Sequence, residues 1–249
     1  MKHPSRSFLP SMLIAVASCV GLAFLFAQTT ASQTRETEIA YAPPESYSFI
    51  NQWSVNDAYG VAVDASGNVF VTSSTDKQVY KFDANGNAIG MLNPGTRPFQ
   101  LPFGIAIDQN GFIYVADNGR NEIRKFDPNT LQDVKRWKKG CAAYPLLKQP
   151  RGIGTSGANR VYVADSANHV IQIYDANGMS KGCYGGLGKG EGKFTWPSGV
   201  AVDAAGKIWV SESNIHRVQV LKKNGTHDKF CKTFDSKKLR LIPKLCAIA

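Results

Sequence analysis

Motifs that announce a reaction are scarce in this chain of 249 residues. It has only four histidines, His3, His169, His216 and His227. It contains no G-x-S-x-G elbow, no H-E-x-x-H pair and no phosphate loop, which removes the commonest signatures of serine hydrolases, zinc proteases and nucleotide-driven enzymes. The glycine-rich run Gly185–Gly192 lacks the Lys-Ser/Thr ending and the following helix that a phosphate cradle needs. None of the five cysteines falls in C-x₂-C spacing, which argues against a zinc cluster. Beyond residue 27 no apolar stretch approaches the ~18 residues a membrane helix requires.

The start of the chain is different. Lys2, His3 and Arg6 precede the apolar run Phe8–Ala27, and small and polar residues follow. This is the layout of a secretory signal, with cleavage expected after Ala31 and Thr29 and Ala31 at the −3 and −1 positions. Residues 1–31 are therefore read as a signal peptide, and residues 32–45 as a linker. Left uncleaved, residues 8–27 would serve as a membrane anchor. Val16-Ala17-Ser18-Cys19 has the look of a lipobox, but Val20–Ala27 stays apolar where a lipoprotein turns polar. The expected location is periplasmic or extracellular.

The full chain has 29 basic and 19 acidic residues. Lys2 and Arg6 lie in the signal, so 27 against 19 remain, a net +8. That balance aids solubility and favours acidic surfaces. An exported chain can oxidise its cysteines, and Cys141, Cys183, Cys231 and Cys246 allow three pairings, or remain as buried thiols.

The remainder repeats itself. Residues 59–86, 103–130, 151–178 and 198–225 align without a gap on Gly60, Gly104, Gly152 and Gly199, spaced 44, 48 and 47 residues apart. Each copy has an apolar G-[VI]-A-[VI]-like strand, a D-x-x-G-type turn, a second strand built on Phe70, Tyr114, Tyr162 or Trp209, and a polar loop. An alternating third strand follows, as in Val170–Tyr174, and a weaker fourth is expected, for example over Lys181–Tyr184. The repeats span about 59–92, 103–138, 151–184 and 198–234. One sheet of this kind cannot bury both faces. Sheets of 40–50 residues stacked around an axis can, so the expected fold is an all-β propeller of four-stranded blades.

The pattern P-x-G-[IV]-A-[VI]-D-x-x-G-x-[IV]-[YFW]-V-[AS]-[DE], closing on N-H-x-[IV]-Q-[VI] as at Asn168-His169, resembles the NHL repeat over residues 46–249. The connector Gly185–Gly199 resembles the glycine-rich linker of that family. The resemblance implies a six-bladed ring. Four full copies are present, preceded by Tyr47–Trp53, which resembles a lone outer strand, and followed by Leu241–Ala249, which imitates the start of a fifth copy. An incomplete ring would leave sheet faces exposed, which favours self-association.

The resemblance also implies that ligands lie on the face formed by the second-to-third-strand loops and the blade connectors. The residues expected there are Arg120, Asn121, Arg151, Asn168, His169, Glu212 and His216, with Asp117, Asp165 and Asn214 beside them. Arg120 and Arg151 suit a carboxylate or phosphate. His169 and His216 share one repeat column, as do Asp117, Asp165 and Glu212, so the repeat itself explains them as turn residues. The peptide-amidating lyase of this family uses a zinc on three histidines; here His227 lies beyond the third strand, away from the other two. No metal, cofactor or catalytic residue is assigned. The expected function is a scaffold that binds protein, peptide or an anionic envelope polymer, and not nucleic acid, despite Lys135-Arg136-Trp137-Lys138-Lys139. The alternative is a metal-dependent lyase or lactonase-like enzyme working around His169 and His216.

Overall fold

The computed structural model describes residues 52–157 and 159–221. They form four antiparallel sheets arranged as propeller blades, with almost no helix. Blade 1 runs β1 (Ala58–Val63), β2 (Val69–Ser73), β3 (Gln78–Phe82) and β4 (Ala88–Met91). Blade 2 runs β5 (Pro102–Ile107), β6 (Ile113–Asp117), β7 (Glu122–Phe126) and β8 (Asp133–Trp137). A small hairpin, β9 (Lys139–Cys141) and β10 (Tyr144–Leu146), separates it from blade 3. Blade 3 runs β11 (Pro150–Ser156), β12 (Arg160–Asp165), β13 (Val170–Asp175) and β14 (Ser180–Gly185). Blade 4 has β15 (Pro197–Val202), β16 (Ile208–Glu212) and β17 (Arg217–Leu221) among the described residues. Within each blade, strand order follows chain order.

The turns form as their residues dictate. Asp64 Oδ1 accepts the backbone N–H groups of Ser66 and Asn68, and Gly67 takes φ +80°. Asp108 and Gly111, and Asp203 and Gly206, repeat the arrangement. Aspartate supplies the local acceptor and glycine the left-handed backbone that a branched residue resists.

Three apolar layers hold the blades together. Phe70, Val79 and Leu92 of blade 1 pack on Ile105, Ile113, Val115 and Phe126 of blade 2. Tyr114, Ile123 and Trp137 meet Ile153, Val161, Val163 and Tyr174. Tyr162, Ala164 and Ile171 meet Val200, Ile208, Val210 and Leu221. Each fully buried large apolar side chain contributes about 1.5–3 kcal/mol, so the sheets are held face to face by the pairs that the repeat predicts.

The anchoring glycines are explained at the axis, where β1, β5, β11 and β15 pack in succession. A Cβ at Gly60 would lie 2.6 Å from the carbonyl oxygen of Phe103, at Gly104 2.1 Å from that of Arg151, and at Gly152 2.7 Å from that of Ser198. The missing side chain is what lets neighbouring inner strands touch.

Two features depart from the plain repeat. The inner strand of blade 1 is not buried on both faces: Val61 and Val63 are 46% and 59% exposed, because no described blade lies on that side. The β9–β10 hairpin was not anticipated; the Cys141–Cys183 disulfide ties it to β14. The outer strand β8 carries exposed Lys135 and Arg136 around the buried Trp137, as a solvated strand with one packed aromatic should. Residues 47–51, and the residues after 221, including the expected fourth strand of blade 4 and Leu241–Ala249, lie outside the described residues, as does the signal region. Trp53, at the end of the stretch expected to be a lone outer strand, is described. It packs over Gly86 and Phe82, the place that Trp137 takes over Gly178 in blade 3.

Candidate functional site

The polar loops between second and third strands turn through one motif. In blades 2 and 3 a single 3-10 turn, Asn118–Arg120 or Ser166–Asn168, ends on a left-handed residue, Asn121 (φ 53°) or His169 (φ 60°). Lys77 and His216 take the same backbone in blades 1 and 4. The recurrence of this column is therefore a backbone requirement, which asparagine meets more easily than most residues.

The side chains of the column do more than turn. Asn121 Oδ1 accepts the backbone N–H of Gln149 at 2.7 Å, and His169 Nδ1 accepts that of Trp196 at 3.2 Å. Gln149 and Trp196 each precede the proline that opens the next inner strand. A second latch lies beside the first: Asn118 Nδ2 donates to the carbonyl of Pro150 at 3.1 Å, and Ser166 Oγ to that of Pro197 at 2.5 Å. Each loop thus grips the strand that enters the following blade.

The buried acids grip the connector entering their own blade. Asp117 accepts from the N–H groups of Gln100 and Leu101, Asp165 from Lys148 N–H at 2.8 Å, and Glu212 from Thr195 N–H at 2.7 Å. The expectation that they cap their own loop is corrected to this longer reach. Burial pushes the Asp165 carboxyl up, opposed by hydrogen bonds from Asn168 and Gln172. Gln172 completes the clamp, donating to Asp165 and to the Tyr144 carbonyl while accepting from Cys141 N–H. Gln219 repeats this with Glu212, Lys193 and Gly192. In blade 2 the column holds Arg124, fully buried, bonded to Asp133 and to the carbonyls of Pro94 and Arg97, and stacked 4.6 Å from the Phe99 ring centre. The repeat signature Q before [VI] foretold the glutamines but not this substitution.

Five of the seven expected site residues are thus engaged within the fold. Arg120 Nε donates to the Pro98 carbonyl at 2.9 Å and lies 3.7 Å from Asp117. Asn168 Nδ2 donates to Leu146 and Asp165. Asn121, His169 and Glu212 are engaged as above, Glu212 also by Arg217 at 2.5 Å. Two keep polar capacity. His216 is exposed and has no hydrogen-bond partner among the described residues. Arg151 is half-buried, its Nε is buried without a partner, and its guanidinium carbon lies 5.7 Å from the centre of the Phe103 ring.

Arg151 stands in a column that the sequence reading did not single out. Tyr59, Phe103, Arg151 and Ser198 each precede the anchoring glycine on successive inner strands. Tyr59 and Phe103 stack at 4.2 Å and 13°. The axial mouth therefore presents a stacked aromatic pair followed by an unspent cation. The alignment on the glycines contains this column, but its mixed chemistry gives it no common signature. No group of three or more His, Cys, Asp or Glu among the described residues is placed to hold a metal ion.

With this geometry in view, the NHL repeat model matches residues 99–126 and 194–221, which cover β5–β7 and β15–β17. Those two stretches are similar to the NHL repeat. Solved structures share the propeller. Virginiamycin B lyase from Staphylococcus aureus matches at TM-score 0.56 and 16% identity, over 70% of this chain and 55% of that one. The hydrazine synthase of Kuenenia stuttgartiensis matches at 0.57 and 16%, over 76% and 53%. A gluconolactonase from Xanthomonas campestris matches at 0.53 and 18%, over 68% and 60%. At these identities the likeness is one of fold, and the chain spans little more than half the length of each neighbour. No curated protein matches the chain in sequence.

Proposed function

We propose that this protein is an exported binding scaffold that takes an anionic ligand, a carboxylate-bearing peptide or envelope polymer, at the axial mouth formed by Tyr59, Phe103 and Arg151. The observation that carries this reading is the Arg151 guanidinium, stacked on Phe103 with its Nε buried and unpartnered. A buried donor without an acceptor costs about 1–3 kcal/mol, and a forked contact to a carboxylate or phosphate would satisfy it. The stacked rings of Tyr59 and Phe103 would seat apolar or planar parts of the same ligand. The net positive charge of the chain would draw an acidic polymer in. The basic start and apolar run of residues 1–31 support export.

Titration of the full chain with an oligoglutamate peptide and with a polyglycerol phosphate tests this reading. Either probe should bind, more weakly as salt rises, and Arg151→Ala should weaken it about tenfold or more, with Arg151→Lys intermediate. Equal binding by Arg151→Ala, or no binding of either probe, removes the reading. Recovery of the chain in the cytoplasmic fraction removes export.

A lyase or lactonase-like enzyme is the second reading. It is supported by the unspent imidazole of His216 and by the enzyme names of two fold neighbours. A stoichiometric metal in the purified protein, lost together with lactone turnover in His216→Ala, would decide for it.

A further inference from the structure

Leu146 and Leu187 stand 57% and 68% exposed on the two connectors that flank blade 3. A single exposed leucine means little, but these two are fixed to one turn. Asn168 Nδ2 donates to the Leu146 carbonyl at 2.8 Å. The carbonyl of the next residue, His169, accepts the N–H of Gly186, just before Leu187, also at 2.8 Å. The connectors approach again at Tyr144, whose hydroxyl would lie 3.5 Å from a Cβ at Gly186. Lysines surround the pair. Residues 138–149 and 185–196 hold Lys138, Lys139, Lys148, Lys189 and Lys193, all exposed, against one acid, Glu191. Lys139 is the cross-strand partner of Leu146, and Lys193 Nζ donates to the Gly185 carbonyl, two residues before Leu187. The nearby acids Asp165 and Glu212 are buried and spent on connector amides.

The turns at the opposite ends of the strands have the other sign. They carry Asp64, Asp83, Asp108, Asp127, Asp175 and Asp203 against Lys207, with Arg160 and Lys181 beside them. A negatively charged surface therefore attracts the connector side in preference to the turn side. The connector backbone is already committed. Phe194 N–H donates to the Gly186 carbonyl and Gly188 N–H to the Phe194 carbonyl. Arg217 holds the carbonyls of Lys189 and Lys193. A peptide that adds as a strand needs free backbone groups at an edge. This patch offers side chains instead, two apolar tips within a ring of cations. That is the complement of a bilayer surface, where anionic headgroups overlie acyl chains. Tyr144 and Trp196, half-buried beside the same turn, are residue types that favour this boundary.

We propose that the connector face around Asn168 and His169 docks on an anionic phospholipid surface. Leu146 and Leu187 enter the boundary between headgroups and acyl chains, and the lysines meet the phosphates. The contact does not use Arg151 and goes beyond the reading of the axial mouth.

Hydrogen exchange read by mass spectrometry on the full chain tests the docking, with vesicles of equal parts phosphatidylglycerol and phosphatidylcholine and with vesicles of phosphatidylcholine alone. The apolar run of residues 8–27 would partition into both, so the comparison cancels it. On the anionic vesicles, amides of residues 139–148 and 185–194 should exchange about threefold or more slowly, and those of the turns 83–87 and 175–179 should not change. Leu146→Ser with Leu187→Ser should remove most of this protection and leave Tm unmoved, since both side chains are exposed. Lys189→Gln with Lys193→Gln, or raised salt, should do the same. No protection, equal protection on neutral vesicles, or protection that survives both pairs of substitutions overturns the proposal. Protection of these connectors by oligoglutamate but not by vesicles also overturns it and assigns the patch to an acidic chain. A doubled mass in solution, lost in the leucine variant, overturns it in favour of a second copy. Oligoglutamate binding that depends on Arg151, without protection by vesicles, sinks this proposal and leaves the axial-mouth reading standing.

Discussion

His169 and Trp196 meet twice: the imidazole Nδ1 accepts the indole residue's backbone N–H at 3.2 Å, and the two rings stand edge to face at 5.8 Å and 88°. The histidine of the Asn-His pair is thereby a blade-to-blade fastener. His169→Ala should destabilise the chain by about 1–2 kcal/mol in denaturant unfolding, by stranding the Trp196 N–H and placing alanine at a left-handed φ. His169→Asn should recover most of this, because Asn121 makes the equivalent bond to Gln149. Equal loss in both variants would mean that the ring contact, not the hydrogen bond, is the fastener.

Gly104→Ala should be among the costliest single-methyl additions in the molecule. Its Cβ would sit 2.1 Å from the Arg151 carbonyl oxygen, where the neighbour is backbone and cannot swing away. A loss of about 3 kcal/mol or more, or failure to fold, is expected. Gly190→Ala is the control: nothing lies within 4 Å of its Cβ, and its φ is not positive, so Tm should hardly move.

Reduction should act locally before it acts globally. The Cys141–Cys183 bond closes 42 residues of chain and pins the β9–β10 hairpin to β14. Cys141→Ser with Cys183→Ser should cost about 2–4 kcal/mol. Amide exchange should rise first over residues 139–146 and 180–185 and leave blade 1 unchanged.

The turn aspartates make stability fall in acid. The Asn87 side chain holds the Asp83 carboxyl below its usual range, and the backbone N–H groups of Thr130 and Asn129 do the same for Asp127. A carboxyl with a depressed folded pKa contributes stability above its unfolded value, about pH 4, and loses it as pH falls through the folded value. Asp165 has the opposite sign, since burial raises it: its contribution is present below the unfolded value and lost as pH rises through the folded one. Tm should therefore drop between about pH 4 and pH 2. Asp83→Asn with Asp127→Asn should flatten that limb, and an unchanged slope would move its origin elsewhere.

Much of the fold was legible because it is periodic. Four glycines in register, an aromatic at one fixed place in each second strand and aspartate-glycine turns announce four like sheets, and like sheets with apolar faces have few ways to hide them. The site was less legible. Asn121, His169 and Glu212 look like chemistry in sequence because they are polar and clustered. Their role appears only when Gln149, Trp196 and Thr195, some 17 to 28 residues away, arrive as donors. Arg124 stands in the column that Gln172 and Gln219 fill in blades 3 and 4, and it is fully buried. Nothing local tells an outward arginine from one that fills a clamp built from the carbonyls of Pro94 and Arg97.

The sequence by itself determined the blade strands, their turns and the number of copies between residues 59 and 221, though not the β9–β10 hairpin, because short-range pattern and backbone preference decide these. Tertiary structure alone decided which polar groups were consumed and which were left over. A side chain's chemistry depends on the partner that packing brings to it, and packing joined Cys141 to Cys183, spent His169 on Trp196 and left the Arg151 Nε without an acceptor.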